Sequence, residues 1–120
     1  MINHHTILKN LLSFNTTSYR SNLKAIKYIE DIFKNNNKFK IIKVYDKNRE
    51  KCSILVKPKQ DVTKGILFSG HIDTVPVTGQ KWESNPFKYY KKKNKIYGRG
   101  STDMKAFISV IISNMVNLKT

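Results

Sequence analysis

The chain has 120 residues, 23 lysines and arginines against 8 aspartates and glutamates, a formal net charge of +15 and one cysteine, Cys52. That length suffices for one small domain burying about two thirds of its unfolded surface, and a single cysteine excludes an internal disulfide. The most apolar run, Met104 to Leu118, is shorter than the ~20 residues of a membrane span, and Met1-Ile2-Asn3-His4-His5 lacks the charged and apolar regions of a signal peptide, so a cytoplasmic domain without a membrane partner is expected.

In chain order, Ile7, Leu8, Leu11 and Leu12 share one face of an opening helix, which the polar run Asn15 to Ser18 breaks. A second helix is predicted over Asn22 to Lys34, with Leu23, Ile26, Ile29, Ile32 and Phe33 as its apolar face and Asn35-Asn36-Asn37 as its stop. Strands are predicted near Phe39 to Tyr45, Lys51 to Lys57 and Gly65 to Gly70. Cys52 falls within the second of these and reads as a small apolar group, not a nucleophile. Lys91-Lys92-Lys93-Asn94-Lys95 separates two aromatic stretches and reads as a hairpin turn; an apolar helix follows Asp103. The pattern is α/β, a mixed β-sheet with helices on its faces, and it contains neither repeat nor linker.

The charge raises the question of nucleic acid. Lysines, 20 against 3 arginines, are scattered through the chain, and the densest group lies in the predicted turn. A solvated turn is favoured over a phosphate-binding patch. Nucleic acid is therefore not the expected partner; a basic module would bind it with strong salt dependence. His4 and His5 sit at an unanchored terminus, where fraying is favoured over metal binding.

The chemistry concentrates in Phe68-Ser69-Gly70-His71-Ile72-Asp73-Thr74-Val75-Pro76 and Gly98-Arg99-Gly100-Ser101-Thr102-Asp103-Met104-Lys105. In an extended chain residues i and i+2 point to one side. His71 is thus placed to ligate a metal while Asp73 accepts its other ring N–H and fixes the tautomer. Zinc takes such nitrogen and oxygen donors. Pro76 and Gly79 put the pair at the carboxyl end of the predicted strand, where open α/β sheets gather ligands. Asp103 follows a glycine loop at a helix start, a position that favours an anion. One of its oxygens on each of two cations would hold them about 3.5–4 Å apart. A lone His-x-Asp is usually structural, and it is the ordered combination that points to a metal site.

Phe68 to Lys105 resembles the metallopeptidase M20 family. Within it, Leu12 to Ser18, Ser21-Asn22-Leu23 and the short Val77 to Trp82 link are most similar to the acetylornithine deacetylase branch. The resemblance implies that His71 ligates one metal, that Asp73 orients His71, that Asp103 bridges two metals and that the peptide bond after Asp103 is cis. It implies two Zn²⁺ ions, or Co²⁺, and hydrolysis of the amide of an N-acyl amino acid, N-acetyl-L-ornithine in the nearest branch. N-succinyl-diaminopimelate or another acylated substrate is the alternative within the family. Trp82, Pro86 and Phe87 are expected to pack the loop beneath the site. For Arg99, shaping the loop before Asp103 and a salt bridge elsewhere stay open.

The pattern departs from the family twice. Ala106 stands where the family has glycine. The Glu-Glu pair that supplies the general base, another acidic ligand, a distal histidine and the dimerisation domain of the family's homodimers have no counterpart, for Glu30, Glu50 and Glu83 are the only glutamates. Residues 1–120 are thus expected to be the truncated amino-terminal part of a catalytic domain, inactive by itself. A non-catalytic gene remnant and a basic nucleic-acid-binding module are the readings outside the family.

Overall fold

Asn3 sets the first helix: its side-chain oxygen accepts from the Thr6 amide at 2.9 Å in the computed structural model, which describes residues 2–118. α1 (His4–Ser13) buries Ile7, Leu8, Leu11 and Leu12, the four residues of the predicted face. α2 (Leu23–Lys34) buries Ala25, Ile26, Ile29 and Phe33. Glu30 is buried on the same face because Lys43 and Lys34 reach it at 3.0 and 3.3 Å. The Lys43 hydrogen bond, aided by Lys34 and opposed by burial, holds the Glu30 carboxyl below the usual range.

β1 (Phe39–Tyr45) pairs antiparallel with β2 (Cys52–Pro58), from Phe39 opposite Pro58 to Tyr45 opposite Cys52. Alternation gives the hairpin two faces. Phe39, Ile41, Ile54 and Val56 pack on the central cluster of Ile7, Leu11, Ile29, Phe33 and Ile112, whereas Ile42, Val44 and Leu55 are exposed. Asp46 closes the turn by accepting from the Glu50 and Lys51 amides at 2.8 and 2.9 Å. Tyr90–Lys92 (β3) and Lys95–Tyr97 (β4) form a second antiparallel hairpin around the predicted lysine turn, where Lys93 takes φ 54°. α3 (Lys105–Asn117) packs against α1 and contributes Ile112 to the core.

The class is α/β, as expected, with the named strands paired as two small antiparallel sheets. The predicted strand Gly65 to Gly70 is not one: the segment has no ladder partner among the described residues, and Ile66 and Leu67 are 82% and 78% exposed. Apolar, β-branched composition favours an extended chain, but a strand exists only where a neighbour takes up its backbone groups.

Asn22, just before α2, ties that helix to β2. Its side chain donates to the Cys52 carbonyl at 3.0 Å and accepts from the Cys52 amide at 2.9 Å. Asn22→Ala should lower stability by about 1–3 kcal/mol, two part-buried hydrogen bonds at ~0.5–1.5 kcal/mol each; a urea midpoint unchanged from the parent chain would refute it.

Candidate metal centre

The segment that ends α1 holds the loop that carries His71. Asn15 Oδ1 accepts from the Thr17 amide and hydroxyl at 3.2 and 2.6 Å, turning the chain out of the helix. Thr16–Ser18 then runs beside Ile72–Thr74. The Thr74 amide donates to Thr16 O at 3.1 Å, the Ser18 amide to Thr74 O at 3.0 Å, and the Thr16 hydroxyl to Ile72 O at 2.5 Å. Thr17 and Thr74 form a parallel bridge, and both are buried together with Thr16. His71 and Asp73, which alternate with these anchors along the chain, are exposed.

The second segment, Gly98 to Met104, is a series of turns. Ser101 N donates to Gly98 O at 3.0 Å and Lys105 N to Gly100 O at 2.9 Å, and the Asp103–Met104 peptide is cis. The two segments touch closely. A β-carbon on Gly70 would lie 2.7 Å from Ile108 Cδ1 and 3.1 Å from Met104 Cε, so the His71 loop lies close against side chains at the start of α3. Gly100 takes φ 89°, and a β-carbon there would lie 3.0 Å from both Lys105 Cδ and Thr74 Cγ2.

This packing brings together all three residues singled out from the sequence. His71 Nε2 and Asp103 Oδ1 are 3.0 Å apart. On the other ring nitrogen, Nδ1 lies 3.0 Å from the Asp73 carbonyl and 3.3 Å from its carboxylate. Partial burial opposes the imidazolium, but the Asp73 carbonyl and the carboxylates of Asp73 and Asp103 outweigh it and hold His71 above its ordinary pKa. With Nδ1 engaged by Asp73, Nε2 is the nitrogen turned toward Asp103.

Arg99 shapes the loop beside the pair. Its guanidinium donates to Pro76 O at 3.3 Å and to the Gln80 side chain, and lies 5.4 Å from the centre of the Trp82 ring. A pocket of about 240 Å³ opens there, bounded by Val75, Trp82, Arg99, Ser101, Thr102 and Asp103. Ala106, the departure from the family's glycine, is half-buried in the first turn of α3.

The donors suit a zinc-like cation: an imidazole nitrogen whose partner nitrogen is fixed, and a carboxylate whose side chain is 82% exposed. They are also too few. Among the described residues no three His, Cys, Asp or Glu side chains are grouped to hold an ion, and catalytic zinc takes three protein ligands.

Residues 67–120 match the model of peptidase family M20/M25/M40. Across 113 residues, 92% of this chain, the sequence is 36% identical to the succinyl-diaminopimelate desuccinylase of Rickettsia prowazekii (strain Madrid E), and to that of Rickettsia bellii (strain OSU 85-389) it is 37% identical over 112 residues. The chain belongs to the M20 family. It is also 47% identical over 58 residues, 47% of its length, to the acetylornithine deacetylase of Buchnera aphidicola subsp. Schizaphis graminum (strain Sg). It spans 29% of the first of these relatives and 15% of the last.

Sequence reading missed Thr16, Gly100 and Lys105. Thr16 stood in a run read as a helix stop and as part of the resemblance, and Lys105 stood at the end of the Gly98 to Lys105 motif with no role of its own. Lys105 is in fact wholly buried.

Proposed function

We propose that residues 1–120 are the amino-terminal part of the catalytic domain of a dinuclear metal-dependent amidohydrolase. In this reading His71 would hold one metal ion, Asp103 would share its carboxylate between two, and Asp73 would orient the His71 ring. The observation that carries it is the approach of His71 Nε2 to Asp103 Oδ1 at 3.0 Å across 32 residues of sequence, with Nδ1 held by Asp73.

Bound zinc or cobalt supplies Lewis acidity, which polarises an amide carbonyl and acidifies a water. The residues of this chain do the holding. Asp73 keeps the His71 ring in one orientation, Asp103 presents its carboxylate to the same point, and the Gly98–Met104 turns leave that point open to substrate through the pocket beside Trp82. A general base is a separate requirement, typically worth ~10²–10⁴ in rate. Glu30 is occupied by Lys43 and Lys34, and neither Glu50 nor Glu83 lines the pocket at Asp103. Turnover therefore needs a carboxylate from outside these residues, and the chain alone is inactive.

The substrate is an N-acyl amino acid. Hydrolysis of N-acetyl-L-ornithine to L-ornithine and acetate, a step of arginine biosynthesis, is supported by the short Val77 to Trp82 link and by the 47% identity to an acetylornithine deacetylase. Desuccinylation of N-succinyl-diaminopimelate is the second reading, supported by relatives of that name matching over 92% of the chain. A cytoplasmic setting belongs to this reading. Among the described residues no helix is long and apolar enough to cross a membrane. The complete protein is a homodimer through a further domain.

Zinc calorimetry on the intact chain tests the metal reading. Weak uptake is expected, falling at least tenfold in both His71→Ala and Asp103→Ala, since each removes one of two donors. Equal uptake by the parent chain and both variants would overturn it.

A further inference from the structure

The stretch from Leu11 to Ser18 is remote in sequence from His71 and from Asp103, yet it holds the segments of both. Its second half pairs with Ile72 and Thr74, through Thr16 and Ser18. Its first half is the end of α1, where the Leu11 carbonyl accepts from the Phe14 amide at 3.3 Å and has a second lone pair to offer. Lys105 Nζ donates to two of the carbonyls there, Leu11 O at 3.0 Å and Phe14 O at 2.9 Å. The two anchorages meet at Gly100, where the space a β-carbon would occupy is bounded by both Lys105 Cδ and Thr74 Cγ2 at 3.0 Å.

A fully buried lysine is rare unless its charge is compensated. Lys105 has no carboxylate partner among the described residues. An apolar side chain would fill the same space without desolvating an ammonium. Only a donor of this length ties the backbone at the end of α1 to a residue two positions past Asp103. The cost of burial is thus matched by a geometric constraint.

We propose that Lys105 is a positioning residue: by fastening the Asp103 segment to the stretch that also holds the His71 segment, it sets the separation of His71 Nε2 and Asp103 Oδ1. Its use in the molecule rests on reading those two groups as metal ligands, but the separation itself is measurable without metal.

The test is the ¹⁵N spectrum of the histidine rings in the intact, metal-free chain at fixed pH, with Asp103→Asn defining the His71 signal when its carboxylate contact is lost. Lys105→Met is expected to move the His71 Nε2 resonance to the Asp103→Asn position. Thr16→Val, which releases Ile72 from the other side, should move it in the same direction. Ile112→Val weakens the core without touching either anchorage and should leave it in place. A folded Lys105→Met chain with the parent His71 resonance overturns the proposal. If Lys105→Met does not fold, Thr16→Val decides, and an unshifted resonance there overturns it equally. Zinc uptake unaffected by His71→Ala, alongside a shifted resonance in Lys105→Met, would defeat the metal reading and leave the positioning role standing.

Discussion

Gly100→Ala is expected to lower the unfolding free energy by about 2–5 kcal/mol, more than replacement of Gly79 or Gly70. At φ 89° an L-residue carries a backbone cost of ~1–2 kcal/mol. The new methyl would also stand 3.0 Å from Lys105 Cδ and Thr74 Cγ2, both on buried residues that hydrogen bonds keep from moving aside; overpacking of that kind costs ~1–3 kcal/mol. Two other glycines separate the contributions. Gly79 has φ 79° with nothing within 4 Å, so Gly79→Ala carries the backbone cost alone. Gly70 has ordinary φ, and its nearest neighbour is the end of the Ile108 side chain, so Gly70→Ala carries crowding that a rotamer change relieves. Urea unfolding of the three variants should rank Gly100→Ala last in stability by a clear margin. Equal losses at Gly100 and Gly79 would show that the junction of Thr74 and Lys105 yields freely, and with it the rigidity ascribed to the site.

What was legible in the sequence follows from the range of the interactions involved. The apolar faces of α1 and α2 depend on neighbours three and four positions apart, and Ile7, Leu8, Leu11, Leu12, Ile26, Ile29 and Phe33 are buried as the spacing predicts. The hairpins are local too: β1 has the predicted bounds, Phe39–Tyr45, and the lysine turn lies between β3 and β4. Gly65 to Gly70 failed because a strand is a relation to a second segment, and composition reports only half of that relation. The same division runs through the site. His71, Asp73 and Asp103 announce themselves by the chemistry of their side chains, and the structure brings them together. Thr16 and Lys105 bear no such mark. Their bonds reach Ile72, 56 positions away, and Leu11, 94 positions away, which no local pattern encodes. A lysine in an apolar helix ordinarily marks an exposed face, whereas Lys105 is wholly buried.

Lys105→Met should cost little stability at neutral pH, where the lost bonds and the relieved desolvation nearly offset, and the loss should grow by up to roughly 3 kcal/mol as the solution becomes alkaline. At pH 7 methionine fills the volume of the lysine stem but leaves the Leu11 and Phe14 carbonyls without their charged donor, a bond worth ~1.5–3 kcal/mol. Burial lowers the Lys105 pKa from 10.5 to about 8. A base whose pKa is lower folded than unfolded makes the unfolded chain bind more protons between those two values, so stability rises with pH across that window. Below about pH 8 the ammonium is charged in both states and the desolvation cost stands in full. Above about 10.5 the amine is neutral in both, and the cost, roughly 3 kcal/mol for a shift of this size, is gone while the amine still donates to its carbonyls. Burial raises the pKa of Cys52 and Tyr28, which titrate as acids and lose stability over the same range. They are present in both proteins, so the difference between parent and variant isolates Lys105. Urea unfolding at pH 7, 8, 9 and 10 should show that difference widening above pH 8. A constant gap would mean that the Leu11 and Phe14 carbonyls hold the ammonium charged through the whole range, as the negative end of a helix dipole favours.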